Sequence, residues 1–346
     1  MISEQLQQYN QESRKPLVSI VLPVYNGKEY LREAIDSMLN QTFTDFELII
    51  INDGSSDESA NIIAAYSDPR IYSVQQDNQG LAATLNRGIA LARGKYIARQ
   101  DQDDVSLPER LARQVEFLQA HPDYGMVGTW ATILEGTEPT GRTHRHPEDN
   151  LRLKFELLFD NPFVHSSVMF RASVIESVGG YSTDRDRQPP EDYELWSRVA
   201  RRFKVANIPG PLHVYREMPQ SMSRTGDNPF LRHVLAINKE NIAWCTADKF
   251  SDQSIQDLAA LIHGQYGFFS RKTSVREMID IIYASAKNLS DEAGMDSVAI
   301  HEEIQIKVNN LRYHYVQAKY FGLLGDSGRG LLHRALRNCR RIIQRR

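Results

Sequence analysis

From Val18 to about Ala98 the chain alternates short β-branched runs with helical periodicity, and this alternation limits its fold more than any other feature. Residues 18–22 read as a buried strand, and Tyr30, Leu31, Ala34, Ile35, Met38 and Leu39 then recur at helical spacing. Residues 46–51 form a second strand, ended by Asn52-Asp53-Gly54, and a helix runs from Ser55-Ser56-Asp57 to about Tyr66. Residues 71–74 are a third strand, Leu81, Leu85, Ile89 and Ala92 mark a third helix, and residues 95–98 are a fourth strand. Strands separated by helices pair in parallel through right-handed crossovers, which predicts an α/β sandwich. Sheets of this kind bind ligands beyond the carboxyl ends of their strands. Here those ends carry Tyr25-Asn26, Asp53 and Asp101.

Past Pro108 the regularity fades. Residues 126–130 and 164–170 read as strands, residues 191–201 as a helix with Leu195, Trp196 and Val199 on one side, and 204–208 and 212–215 as short strands. A polar loop rich in Asp, Arg and Pro occupies 182–190, and from about Pro229 the chain is mostly helical. The expected organisation is an N-terminal extension 1–16, an α/β domain 17–226 (halves 17–105 and 106–226) and a helical region 227–346, with the boundary near Gly226-Asp227-Asn228.

Composition excludes several classes. A net charge of −3 gives no general affinity for nucleic acid. Cys245 and Cys339 lie far apart without metal-ligand or redox spacing, as in a reducing compartment. Residues 1–15 lack the apolar core of a signal peptide, and no apolar run nears the roughly 20 residues that span a bilayer. The expectation is a cytoplasmic protein, at most peripheral on the inner face of the cytoplasmic membrane. Residues 329–346 carry seven arginines and no acid, with Leu332, Ala335, Leu336, Cys339 and Ile343 at helical spacing. Such a basic amphipathic helix either packs on its own domain or docks on an anionic membrane surface.

The stretch Asp101-Gln102-Asp103-Asp104 crowds three carboxylates into four residues directly after an apolar run. Asp before a helix often only caps it, and Ser106 and Glu109 have the S-x-x-E spacing of a capping box, with Pro108 suited to the first turn. Carboxylates this close otherwise call for a divalent cation carrying a phosphorylated ligand. In an extended segment Asp101 and Asp103 would face one site. Upstream, Pro23 and Tyr25 offer faces for a base, and Asp53 an acceptor for a uracil imide N–H. Asn78, Gly80 and Asn86 open and line the third helix. No G-x-G-x-x-G follows the first strand and no P-loop is present, so dinucleotide and P-loop triphosphate sites are disfavoured.

Together, Val18-Ser19-Ile20-Val21-Leu22-Pro23-Val24-Tyr25-Asn26, Ile51-Asn52-Asp53-Gly54-Ser55-Ser56-Asp57 and Asp101-Gln102-Asp103-Asp104 with Ser106-Leu107-Pro108-Glu109-Arg110-Leu111 resemble glycosyltransferase family 2, of the bacterial surface-polysaccharide type, over roughly 17–217. The resemblance implies the GT-A fold, a Rossmann-like mixed sheet flanked by helices, with the C-terminal helical region added. It implies an inverting transferase moving a hexose or N-acetylhexosamine from a nucleotide sugar, a UDP-sugar above all, to a lipid-linked or polysaccharide glycan. By the same resemblance Pro23, Tyr25, Asn26 and Asp53 contact the nucleoside, Asn78, Gly80 and Asn86 border the donor, and Asp101 approaches the ribose or metal. Asp103 holds Mn²⁺ or Mg²⁺ against the diphosphate. Gln102 stands where the family usually has a small residue, which alters contacts near the sugar.

Glu191-Asp192-Tyr193-Glu194-Leu195-Trp196 places acids at a helix start, where they are favoured in any case. In the family an E-D pair at such a place supplies the general base, implying that role for Asp192 and an orienting role for Glu191. The segment Asn161-Pro162-Phe163-Val164-His165-Ser166-Ser167 is similar to one bordering the acceptor site, implying acceptor contacts for His165 and Trp196. Relatives often carry a metal-shell His shortly after the Tyr-Arg pair. Here Tyr215-Arg216 has none, and His213 precedes it, so the third ligand is left open. The alternatives are a non-catalytic nucleotide-sugar-binding scaffold of the same fold and a nucleotidyltransferase, which would want a Gly/Arg/Lys-rich loop that residues 23–28 lack. The chain has no membrane span and no Q-x-x-R-W, which disfavours a processive synthase.

Overall fold

The computed structural model describes residues 15–218 and 230–321. The chain divides into two compact units between Val234 and Leu235. The boundary expected at 226–228, the extension before residue 15 and the basic tail 329–346 lie outside the described residues.

The first unit is built on β1 (Val18–Val24), α1 (Leu31–Leu39), β2 (Phe46–Asp53), α2 (Ser59–Ala64), β3 (Ile71–Gln76), α3 (Leu81–Leu91) and β4 (Tyr96–Arg99). These strands lie parallel in the order β3-β2-β1-β4. Every residue of β1 and β2 is buried, as expected for strands covered on both faces. One face packs on Leu31, Ala34, Ile35 and Met38 of α1, which recur at helical spacing.

After β4 the sheet turns mixed. It continues through β5 (Val105–Ser106), α4 (Arg110–Ala120), β6 (Tyr124–Glu135), β7 (Glu138–His144), α5 (Asn150–Glu156), β8 (Met169–Arg171), α6 (Ala172–Val178), α7 (Glu191–Ala200) and β9 (Lys204–Glu217). The order continues β4-β8-β6-β9-β5, with β8 antiparallel to β4 and β6, and β7 on β6.

Several local expectations need correction. Residues 164–170 are no single strand: His165–Ser167 form a 3₁₀ turn before the short β8. The two short strands at 204–208 and 212–215 are one, β9, whose pairing with β6 shifts register around Trp130. The capping box at Ser106 does not form. Ser106 ends β5, its Oγ donates to Gln100 Oε1 (2.7 Å) and accepts from Arg110 Nη1 (2.7 Å), and α4 starts at Arg110 without a side-chain cap.

The second unit is helical: α8 (Phe230–Thr246, which begins in the first unit), α9 (Asp252–Ile262), α10 (Val275–Ala293) and α11 (His301–Phe321). Ser251 and Ser274 cap α9 and α10 by accepting from the N–H three residues on. Leu258, Ile281, Ile282 and Leu311 are fully buried. Among the described residues no helix is long and apolar enough to cross a membrane.

Candidate active site

The loop after β1 is stitched to the loop after β2. Asn26, at φ 49°, accepts at Oδ1 from the Ser56 N–H (2.8 Å), and its own N–H donates to Ser55 Oγ (3.0 Å). The Gly27 and Lys28 N–H groups donate to Ser59 Oγ and Asp57 Oδ2, both at 3.0 Å. Tyr25 is 51% exposed and offers an open ring face. Pro23 is buried inside β1 opposite Ile51, so its ring gives no open face.

Asp53 is buried at the end of β2, and its carboxylate organises the approach to α3. Its Oδ1 accepts from Gln76 Nε2 (2.6 Å) and the Gln79 N–H (2.8 Å), its Oδ2 from the Gly80 N–H (3.0 Å). A carboxylate has about four lone-pair positions, which leaves room for a ligand. Gly80 starts the helix at φ 86°, a conformation open to glycine, and both Gly80 and Asn78 are exposed. Asn86 faces elsewhere. Its amide donates to the Tyr181 carbonyl (2.8 Å) and accepts from the Tyr181 N–H (2.8 Å), tying α3 to a segment 95 residues away.

The acidic segment 101–104 is a turn, not an extended strand, so strand alternation does not set its side-chain directions. Buried Gln100 shapes it by donating to the Asp101 (3.1 Å) and Asp104 (2.8 Å) carbonyls. Asp101 is partly exposed and paired with Arg99 (2.6 Å). Burial, then the neighbouring Asp104 and Asp101, raises Asp103 far above the ordinary carboxylate range. Asp104 is itself raised by burial and then Asp101, and it is spent on structure: it accepts from Ser166 Oγ and the Arg216 N–H (2.8 Å) and lies 3.2 Å from His213 Nε2. His213 is fully buried, its Nδ1 3.3 Å from Ser106 Oγ. Among the described residues no group of three His, Cys, Asp or Glu side chains forms a ready-made metal cage.

Gln102 is a strap. Its Oε1 accepts from the Tyr25 N–H (2.9 Å) and its Nε2 donates to the Tyr25 carbonyl (3.1 Å), joining the acidic turn to the β1 loop. A Cβ on Gly27 would stand 2.3 Å from Gln102 Oε1, so the strap needs that glycine.

Glu191 and Asp192 open α7. Asp192 Oδ2 accepts from Asn161 Nδ2 and its Oδ1 from the Tyr193 N–H, each at 2.8 Å. Burial raises both acids, and for Glu191 the Asp192 charge adds to it. His165 Nδ1 lies 3.9 Å from Glu191 Oε1, and its Nε2 2.9 Å from the Tyr181 hydroxyl. Burial, then the Arg99 charge, keeps His165 well below its usual value. Trp196, expected to touch the acceptor, is fully buried. Its ring centroid lies 6.0 Å from those of His165 and Phe170, so it backs the wall without lining it.

In the sequence Arg99 carried no role, and Asn161 stood only within the segment that resembles one bordering the acceptor site. Arg99 is 2% exposed, pairs with Asp101 at 2.6 Å, and its charge favours the ionised forms of Asp103, Asp104, Glu191 and Asp192. The signal was present: a lone cation closing the apolar run Tyr96-Ile97-Ala98.

The first unit is thus a parallel sheet that turns mixed beyond an acidic turn, with loops joined over its carboxyl ends. The protein adopts the GT-A fold. It is similar to Staphylococcus aureus TarS 1–349, solved in complex with UDP-GlcNAc, at TM-score 0.56 and 17% identity over 88% of this chain and 92% of that one. The likeness extends to the mannosyltransferase PcManGT from Pyrobaculum calidifontis, solved with GDP-Man and Mn²⁺, at TM-score 0.51 and 15% identity over 92% and 94%. The Glycosyl transferase family 2 model matches residues 19–179. A Bacillus subtilis (strain 168) protein named "Putative glycosyltransferase EpsE" is 36% identical over 216 residues, 60% of this chain and 76% of its own. The Escherichia coli O-antigen biosynthesis glycosyltransferase WbnJ is 34% identical over 186 residues, 53% and 71% respectively. The chain belongs to glycosyltransferase family 2, and it is a glycosyltransferase.

Proposed function

We propose that this glycosyltransferase moves a sugar from a nucleotide-sugar donor, a UDP-sugar foremost, to a hydroxyl of a lipid-linked or growing polysaccharide glycan, with inversion. The observation that carries this reading is geometric: Asp53 orders the loop into α3, Gln102 joins the acidic turn to the β1 loop at Tyr25, and buried Arg99 pairs with Asp101 at 2.6 Å in that turn. Tyr25 stacks on the base, and Asp53 with the loop it orders receives the nucleoside. UDP-GlcNAc and GDP-Man in the two similar structures support a nucleotide-sugar donor.

Asp101 and Asp103 fit a divalent cation, Mn²⁺ or Mg²⁺, because they are part-exposed carboxylates two residues apart in one turn, with Arg99 paired to Asp101 alone among them. Held by these two carboxylates, the ion would supply charge stabilisation for a departing diphosphate. Asp192 takes the proton of the acceptor hydroxyl as that oxygen attacks the anomeric carbon from the face opposite the diphosphate. The bond from that carbon to the diphosphate oxygen breaks, and the nucleoside diphosphate leaves with the electron pair. One displacement inverts the centre. Residues 329–346 add a dock on anionic lipid, tested by whether truncation after Asp326 releases the protein from membranes.

The experiment is nucleoside diphosphate release from a panel of UDP-, GDP- and dTDP-sugars, with Mn²⁺ and with chelator. Release with one donor, dependent on metal, is the expected result, and Asp192→Asn lowers it roughly 10²–10⁴-fold while UDP still binds. A panel with no turnover at all, or an Asp192→Asn protein that loses UDP binding, overturns this assignment.

A further inference from the structure

We propose that Asn161 is a positioning residue that fixes the Asp192 carboxylate for proton transfer. This deepens the reading of Asp192 as the base and rests on it. Asp192 lies at the second position of α7, where its Oδ1 is already taken by the N–H of the next residue, Tyr193. That bond alone leaves the carboxylate free to swing about its own helix. The amide of Asn161, from a separate loop, takes Oδ2 at 2.8 Å and ends that freedom.

The Asn161 amide is itself held one way round. Its Oδ1 accepts from the Phe163 N–H (3.2 Å), so its Nδ2 is the end turned toward Asp192. The loop is anchored too: the Asn161 N–H donates to Asp160 Oδ1 (2.8 Å), and the Pro162 carbonyl accepts from buried Asn207 Nδ2 (3.1 Å). Two donors from two elements thus set the carboxylate plane and leave its remaining lone pairs for the acceptor hydroxyl.

A donor on the carboxylate also favours its ionised form, against the burial that disfavours it. The other groups facing the base are Glu191 beside it on α7, Arg99 from β4, Tyr181 from the loop before α7, and His165 by way of Glu191. Of these only Arg99 is a fixed cation, so loss of the Asn161 bond acts in the same direction as the like charge of Glu191.

The test measures the pH dependence of kcat for Asn161→Ala and Asn161→Asp, using the donor that the release panel identifies, with UDP binding and melting temperature alongside. Asn161→Ala is expected to lower kcat at neutral pH about 10–100-fold, the scale of a lost hydrogen bond to a charged group, to shift the acid limb upward and to leave UDP affinity unchanged. Asn161→Asp, nearly isosteric, places a second charge beside the base, moves the limb further and recovers activity at higher pH. A limb unmoved in both variants overturns the proposal, including a loss uniform across pH with a lowered melting temperature, which marks a purely structural residue. If Asp192→Asn is fully active while UDP binds, the base assignment has failed, and the positioning role with it.

Discussion

At the scale of single residues, the Gln102 side chain acts through what it holds. Gln102 bonds both backbone polar groups of Tyr25, and Gly27 leaves the space that lets it do so. Gln102→Ala should weaken UDP binding several-fold with little change in melting temperature, since a partly exposed bond is worth only about 0.5–1.5 kcal/mol. Gly27→Ala displaces the same amide. The double variant should therefore bind UDP no more weakly than either single one, and additive losses in calorimetry would refute the strap. The Glu191-Asp192 pair carries the pH prediction. Burial raises both acids above the ordinary carboxylate values near ~4. A base must be ionised to work, so kcat falls as pH drops through that raised value, with an apparent limb belonging to the pair. A limb at ordinary carboxylate pH would contradict the buried setting.

Elements show why short motifs mislead. Ser106-x-x-Glu109 has the letters of a capping box, yet the chain pairs Ser106 with β9 and spends its hydroxyl on Gln100 and Arg110. Two fully buried arginine and glutamine side chains in need of partners outweigh one exposed helix cap. The acidic turn carries a stability prediction. The folded-state values of Asp103 and Asp104 are raised, so their ionisation weighs against folding as pH climbs from about 4 upward. Mn²⁺ should then raise the melting temperature more at about pH 8 than at about pH 5, and Asp103→Ala should remove most of that difference. Equal shifts at both pH values would place the ion elsewhere. The Asp53 loop is a second case. Asp53→Asn leaves an N–H of Gln79 or Gly80, or the Gln76 amide, facing a donor, at a cost of about 1–3 kcal/mol, read as a lower melting temperature and weaker UDP binding.

Across the first unit as a whole, contacts distant in sequence join α3 to the segment before α7. Asn86 on α3 grips the Tyr181 backbone, whose hydroxyl reaches His165 near Glu191. Asn86→Ala should free the segment 179–190, seen as faster proteolytic cleavage there and a lower kcat, while UDP binding at the far side of α3 holds. Unchanged cleavage would mean the tether is redundant.

The parallel half of the fold was legible because strands buried on both faces must be continuous apolar runs and the helices between them must show one apolar face, patterns local enough to read from residues 18–99. The two acidic pairs were legible as well, since unusual charge density needs no tertiary context. The mixed half was not. β7 and the long β9 are stabilised by partners far along the chain, and Trp196 has the same letter whether it meets solvent or, as here, the interior. The sequence by itself determined which elements form over residues 18–99 and where the carboxylates cluster. Only the tertiary structure decided which of them are tied down and by whom, because Asn161 and Gln102 act through partners 31 and 77 residues away, and a hydrogen bond at that remove leaves no trace in a local pattern.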